Sequence, residues 1–199
     1  PAERAPRELS TIMRRAMSAI LDGIARGDQN GGPTALARIV NESVTACGGL
    51  DVSDLTQRYL HWHKTGAFDT GPTFDLVFSR VASGMGVREA VKEVDRLVVG
   101  ETAGCGPAHR CGPIAGCFKI PTSDLARVAR AEARTSHCHA DAGSASAVVA
   151  LLCRYLLEGA DWEAAKLRVA NDEGVADAWH AILAADRNPG GYALDVVHS

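Results

Sequence analysis

The stretch 140–157, ADAGSASAVVALLCRYLL, limits the possible folds more than any other part of the chain. It reads as one long helix and is almost wholly apolar, with Val148, Val149, Leu151, Leu152 and Tyr155 spread around it. A helix that is apolar on most sides must be surrounded by others. The remaining segments therefore have to supply the helices that cover it. Small residues such as Ala145, Ala147 and Ala150 let those neighbours approach closely.

The other segments carry the matching pattern. Residues 9–25 place Ile12, Ala16, Ala19, Ile20 and Ile24 on one face, and residues 34–46 place Leu36, Ile39, Val40 and Val44. Cys47-Gly48-Gly49 reads as a helix end, and Asp51 or Ser53 as the cap of a helix carrying Leu55, Tyr59, Leu60 and Trp62. A further helix presents Phe74, Val77, Phe78 and Val81; it breaks at Gly84-Met85-Gly86, and the period resumes over 87–98. Residues 107–118 read as one short buried helix, and Thr122 or Ser123 as the cap of a helix over 124–134. Beyond the core helix, 161–169 and 175–185 are helical, Asn188-Pro189-Gly190-Gly191 is a turn, and 192–199 opens a last helix. No strand pattern of any length appears. The expected fold is all-α, a compact bundle forming one domain over 1–199.

Composition narrows the function classes. The formal net charge of −3 gives no electrostatic reason to expect nucleic acid or an anionic membrane as partner. No apolar run is expected to reach the roughly 20 residues of a membrane span. The six cysteines, Cys47, Cys105, Cys111, Cys117, Cys138 and Cys153, lack zinc-finger spacing and read as reduced, mostly buried thiols. No signal-peptide pattern precedes the first helix, so a cytoplasmic location is expected.

Polar groups gather at glycine-rich corners between helices. Gly27-Asp28-Gln29-Asn30-Gly31-Gly32-Pro33-Thr34 is the first. It reads either as a plain turn in which Asp28 caps the next helix, or as a corner whose open peptide N–H groups hold an anionic ligand. Phe68-Asp69-Thr70-Gly71-Pro72-Thr73 is the second, and the stretch 100–110, with Cys105 between Gly104 and Gly106, is the third. His109 and Arg110 follow it, a place suited to a phosphate or a sugar hydroxyl. His137 stands just ahead of the core helix, and His61 and His63 read as solvated or capping.

In this order the features resemble the ADP-ribosylglycohydrolase family, which includes the hydrolase that releases ADP-ribose from dinitrogenase reductase. Gly27, Asp28, Gly31 and Pro33 match the family's Gly-Asp-x-x-Gly-x-Pro turn. Asp69-Thr70-Gly71 matches its Asp-x-Gly turn, and residues 104–113 look like its Gly-Asn-Gly-x-x-Met-Arg-x-x-Pro loop. Thr135-Ser136-His137 is similar to its Thr-His motif, with one residue inserted. The resemblance runs from about Leu9 onward.

It implies a helical hydrolase cleaving a glycosidic bond of ADP-ribose or a related conjugate, as a free small molecule or on an ADP-ribosylated protein. Bond cleavage at an anomeric carbon needs a carboxylate, so Asp28 and Asp69 are the catalytic candidates. Gly31, Gly71, Gly104, Cys105, Gly106, His109, Arg110 and His137 are the substrate-binding candidates. The chain also departs from the pattern. The family binds magnesium or manganese through a Thr-Asp-Asp-Thr loop and a later Asp-x-Asp-Thr motif. Here Gly31-Gly32-Pro33-Thr34 runs straight into Leu36 and Ala37, and the sequence ends at Ser199 ahead of the second motif. No metal cofactor is therefore expected for this chain, although Asp75 could join Asp28 and Asp69 near one pocket. Two further readings stay open: a relative that binds such a ligand without catalysis, and a helical interaction domain. The short C-terminal end leads to the expectation of a homo-oligomer or a separately bound C-terminal segment.

Overall fold

The computed structural model describes residues 6–184, and every regular element among them is an α-helix. The order is α1 (Pro6–Gly27), α2 (Gly32–Cys47), α3 (Val52–Gly66), α4 (Pro72–Ala82), α5 (Val87–Leu97), α6 (Gly106–Arg110), α7 (Gly112–Gly116), α8 (Thr122–Ala133), α9 (Ala140–Leu157), α10 (Trp162–Ala170) and α11 (Ala176–Ala184). The fold is all-α, as the periodicity requires. The expected turn at 188–191 and helix at 192–199 lie outside the described residues.

Local chemistry sets the helix starts. Proline occupies the first turn of α2, α4, α6 and α7. There its missing N–H costs nothing, and its fixed φ suits the helix. Asp51 rather than Ser53 caps α3, its Oδ1 accepting from the N–H groups of Ser53 and Asp54 at 2.8 and 3.0 Å. Two expectations are corrected. Residues 107–118 form not one helix but two single turns, broken at Cys111. Neither Thr122 nor Ser123 caps α8, which begins at Thr122 directly after Pro121. The Thr122 hydroxyl is engaged instead with Arg154 and Glu158.

α9 is the hub and packs against α6, α7, α8, α10 and α11. Ala145, Ala147, Val148, Ala150 and Leu151 have no exposed surface. By length and composition alone α9 would suffice to cross a membrane, contrary to the expectation that no run would, but more than half of it is buried inside the fold. Arg154 on α9 is buried as well. It donates to the carbonyls of Ala115, Cys117 and Ile120 at 2.8–3.1 Å and so clamps the α7–α8 turn onto the hub. Across the bundle α1 lies close on α7: a Cβ at Gly112 or Gly116 would meet Ile20 or Met17 at 2.7 Å. Tyr59, Phe74 and Phe78 form an aromatic cluster joining α3 to α4, with centroids 4.3–5.6 Å apart. All six cysteines are unpaired; Cys111 and Cys117 are buried and Cys47 is exposed.

Candidate functional site

The first glycine corner is built around Asp28. Its Oδ1 accepts from the N–H groups of Asn30 (3.1 Å) and Gly31 (2.8 Å). Its Oδ2 accepts from the Thr34 N–H (2.8 Å) and the Thr34 hydroxyl (2.6 Å). Gly31, the residue before α2, sits at φ 90°, where a side chain is strained. It has no side chain to cap the helix, and Asp28 supplies the carboxylate from outside. Burial disfavours the charge on Asp28, but the bonds from Thr34, Gly31 and Asn30 outweigh it and hold the carboxyl at about 2. Asp28 is thus a fixed anion whose oxygens already serve four donors.

The second corner closes onto the first. A Cβ on Gly32 would stand 2.1 Å from the carbonyl oxygen of Asp69, and one on Gly31 would stand 3.2 Å from the Phe68 ring. Only glycines let these two loops touch. Asp69 holds a left-handed backbone at φ 47°, a conformation Asp tolerates better than most residues. Its side chain is exposed and makes no hydrogen bond among the described residues. Gly71, at φ 74°, precedes α4 and leads to Thr73.

The third loop carries α6 and faces the same place. His109 is half-buried, and burial lowers its affinity for a proton; the charges of Asp28 and Asp69 pull in the opposite direction. That mutual effect puts the histidine within the field of both acids. Gly104 and Gly106 lie over His137: a Cβ on Gly104 would meet Nε2 at 2.9 Å and Thr73 Oγ1 at 4.0 Å, and one on Gly106 would meet Cε1 at 3.5 Å. Cys105, between them, is half-buried, and burial raises its thiol, which makes it a poor nucleophile. Two groupings result: the Asp28–Gly31 and Asp69 corners meet with His109 in their field, and Gly104 and Gly106 lie over His137 beside Thr73.

Arg110 departs from the sequence expectation. Expected to contact a phosphate, it has no exposed surface. Its Nε donates to Glu132 Oε1 at 2.7 Å, its Nη2 donates to the Ser136 hydroxyl at 2.7 Å, and its guanidinium lies over the rings of Tyr59 and Phe74. The Tyr59 hydroxyl donates to the same Glu132 oxygen at 2.9 Å. Arg110 is the centre of a buried polar network beneath the site rather than part of its lining. His63 also differs from expectation: its Nε2 is 3.0 Å from Asp75 Oδ1, which pairs α3 with the first turn of α4. Asp75 is committed to that pair. Glu132, Thr34 and Thr73 were not singled out by their sequence context; Thr34 and Thr73 carried a signal, each a hydroxyl placed just after a Gly-Pro helix start.

The donor set does not fit a divalent hard cation. Such an ion wants several oxygen ligands, usually including more than one carboxylate. Among the described residues no three His, Cys, Asp or Glu side chains cluster as a metal site would require. The carboxylate best placed to contribute, Asp28, already has its oxygens bonded to backbone and threonine.

The family model for ADP-ribosylglycohydrolase matches residues 6–198, nearly the whole chain. No curated protein and no solved structure matches it. With a family match of that extent on an all-helical fold, the chain belongs to the ADP-ribosylglycohydrolase family.

Proposed function

We propose that this protein hydrolyses a glycosidic bond of ADP-ribose, either in a small conjugate or on an ADP-ribosylated protein, in a reducing cytoplasmic setting. The observation that carries the reading is the contact between the Asp28 and Asp69 corners beside His109. Cleavage at the anomeric carbon passes through a state with positive charge on the sugar. Asp28, kept ionised by its four donors, supplies a fixed negative charge next to that centre. Asp69 has the accessible carboxylate and is assigned the proton transfer that activates water or assists the leaving group. His109, held neutral at ordinary pH by its burial, offers a hydrogen bond to ribose or phosphate without adding charge.

The test is release of ADP-ribose from ADP-ribosyl-arginine, followed by chromatography, with Asp69→Asn as the variant. Asn tolerates the left-handed backbone, so the exchange removes the acid and spares the loop. Loss of proton transfer should lower turnover by roughly 10²-fold or more. Equal rates in the two proteins would remove Asp69 from the mechanism.

A second reading has its own support. Asp28 spends its acceptors on capping α2, and the described residues lack a metal cluster. Both suit a protein that binds ADP-ribose without cleaving it. Calorimetric binding of ADP-ribose with no product from any conjugate would favour this second reading.

A further inference from the structure

The buried network under the glycine loop has an orientation that its hydrogen-bond inventory fixes. Ser136 is completely buried and its hydroxyl has two partners: Arg110 Nη2 at 2.7 Å and His137 Nδ1 at 2.7 Å. A guanidinium can only donate, so the Ser136 oxygen accepts from Arg110. One hydroxyl hydrogen remains, and among the described residues the other partner of that oxygen is His137 Nδ1. Were Nδ1 itself protonated, the hydroxyl hydrogen would be stranded in the core, which costs about 1–3 kcal/mol. The serine therefore donates to Nδ1, and a neutral ring then carries its hydrogen on Nε2.

From this geometry we infer that Ser136, oriented by Arg110, is a positioning residue that locks His137 in the Nε2–H tautomer. The ring thereby presents a hydrogen-bond donor to the underside of the Gly104–Gly106 turn. Arg110 is held in turn by Glu132 Oε1 and lies over Tyr59 and Phe74, so the donor's direction is set from the core outward. The charged groups facing His137 are few. Arg110 lies behind Ser136, and burial together with that positive charge keeps the imidazole neutral down to about 3. The donor therefore persists unchanged across the physiological pH range. Nε2 faces Gly104, where a Cβ would stand 2.9 Å away, and Thr73 Oγ1 lies 4.0 Å from the same point. A donor there suits an acceptor oxygen of a hydroxyl or phosphate group. That ligand-facing role rests on the proposed function, whereas the tautomer does not.

The test is a long-range proton–nitrogen correlation spectrum of the histidine-labelled full chain, with no ligand present. The expected result is one neutral His137 species with the proton on Nε2, unchanged between pH 5 and 8. Ser136→Ala should convert it to a mixture of tautomers, and Ser136→Thr, which keeps the hydroxyl, should restore the single form. A wild-type ring protonated on Nδ1 or on both nitrogens would overturn the inference, as would an unchanged tautomer in folded Ser136→Ala. If Ser136→Ala does not fold, the wild-type and Ser136→Thr spectra decide by the same criterion. A correct tautomer in a protein that neither binds nor cleaves ADP-ribose would leave the lock standing and refute the proposed function alone.

Discussion

The carbonyl oxygen of Asp69 lies against the α-carbon of Gly32, so that a Cβ on residue 32 would stand only 2.1 Å from it. This contact joins two corners that lie far apart in the chain, and it leaves no room for any larger residue. Gly32→Ala should push the loop that carries Asp69 away from α2. Overpacking against backbone costs about 1–3 kcal/mol. Gly49→Ala, where nothing lies within 4 Å, is the control and should stay within about 0.5 kcal/mol of wild type. Thermal unfolding of the two variants measures the difference.

Asp28 links the site to acid stability. Its folded-state value of about 2 lies below the ordinary 3.8. A carboxyl depressed in the folded state stabilises fully above its unfolded value, and that contribution is lost as pH falls through the folded one. Asp28→Ala should cost about 1–2 kcal/mol at neutral pH, the size of a lost helix cap. The gap between wild type and variant should narrow from about pH 4 downward and close only below pH 2. Urea unfolding at a series of pH values would reveal it; a gap constant down to pH 2 would mean that the carboxylate's charge plays no part.

The Arg110–Glu132 pair is completely buried, with N–O at 2.7 Å. Removing only the acid strands a guanidinium in the core and deprives the Tyr59 hydroxyl of its acceptor. Glu132→Ala should therefore destabilise by about 3–5 kcal/mol. Replacing both partners, Arg110→Met with Glu132→Leu, should recover part of that loss, because the stranded charge is gone while the Tyr59 hydroxyl still lacks its acceptor. Denaturant midpoints of the single and double variants test the pair. A double variant as unstable as Glu132→Ala would show that packing, not the unpaired charge, sets the cost.

The same pair shows where a sequence stops being informative. The core helix announced itself, because the apolar stretch ending at Leu157 has no polar face to expose. The Gly-Pro pairs announced helix starts for a local reason, proline's fixed φ, and that reason held at four of them. Asp28 was readable as a cap for the same reason, since its partners lie within six residues. Arg110 was not. A basic residue after a glycine loop looks like an exposed anion contact, and the partners that draw it inward, Glu132 and Tyr59, are distant in sequence. Nothing local marks Glu132 as buried: it sits between Arg130 and Arg134, and its partners, Arg110 and Tyr59, come from α6 and α3. Thr122 failed as a cap in a similar way, because Arg154 claims its hydroxyl from another helix.

Gly104 and Gly106 provide the most selective comparison at the site. Neither holds a left-handed backbone, so alanine is conformationally allowed at both, and they differ only in what the new methyl would meet. On Gly106 it would lie 3.5 Å from His137 Cε1 and 3.7 Å from Arg110 Nη1, ordinary contact distances. On Gly104 it would lie 2.9 Å from Nε2, covering the atom assigned as donor. The ring is buried and anchored through Nδ1, so it has little room to retreat. Gly104→Ala should therefore weaken ADP-ribose binding by roughly tenfold, the worth of one lost hydrogen bond. Gly106→Ala should bind within about twofold of wild type, since it removes no hydrogen bond. Calorimetric titration of ADP-ribose into each variant, with circular dichroism to verify the fold, separates the two. Equal affinities for both would place the ligand away from His137 and remove that residue from the site.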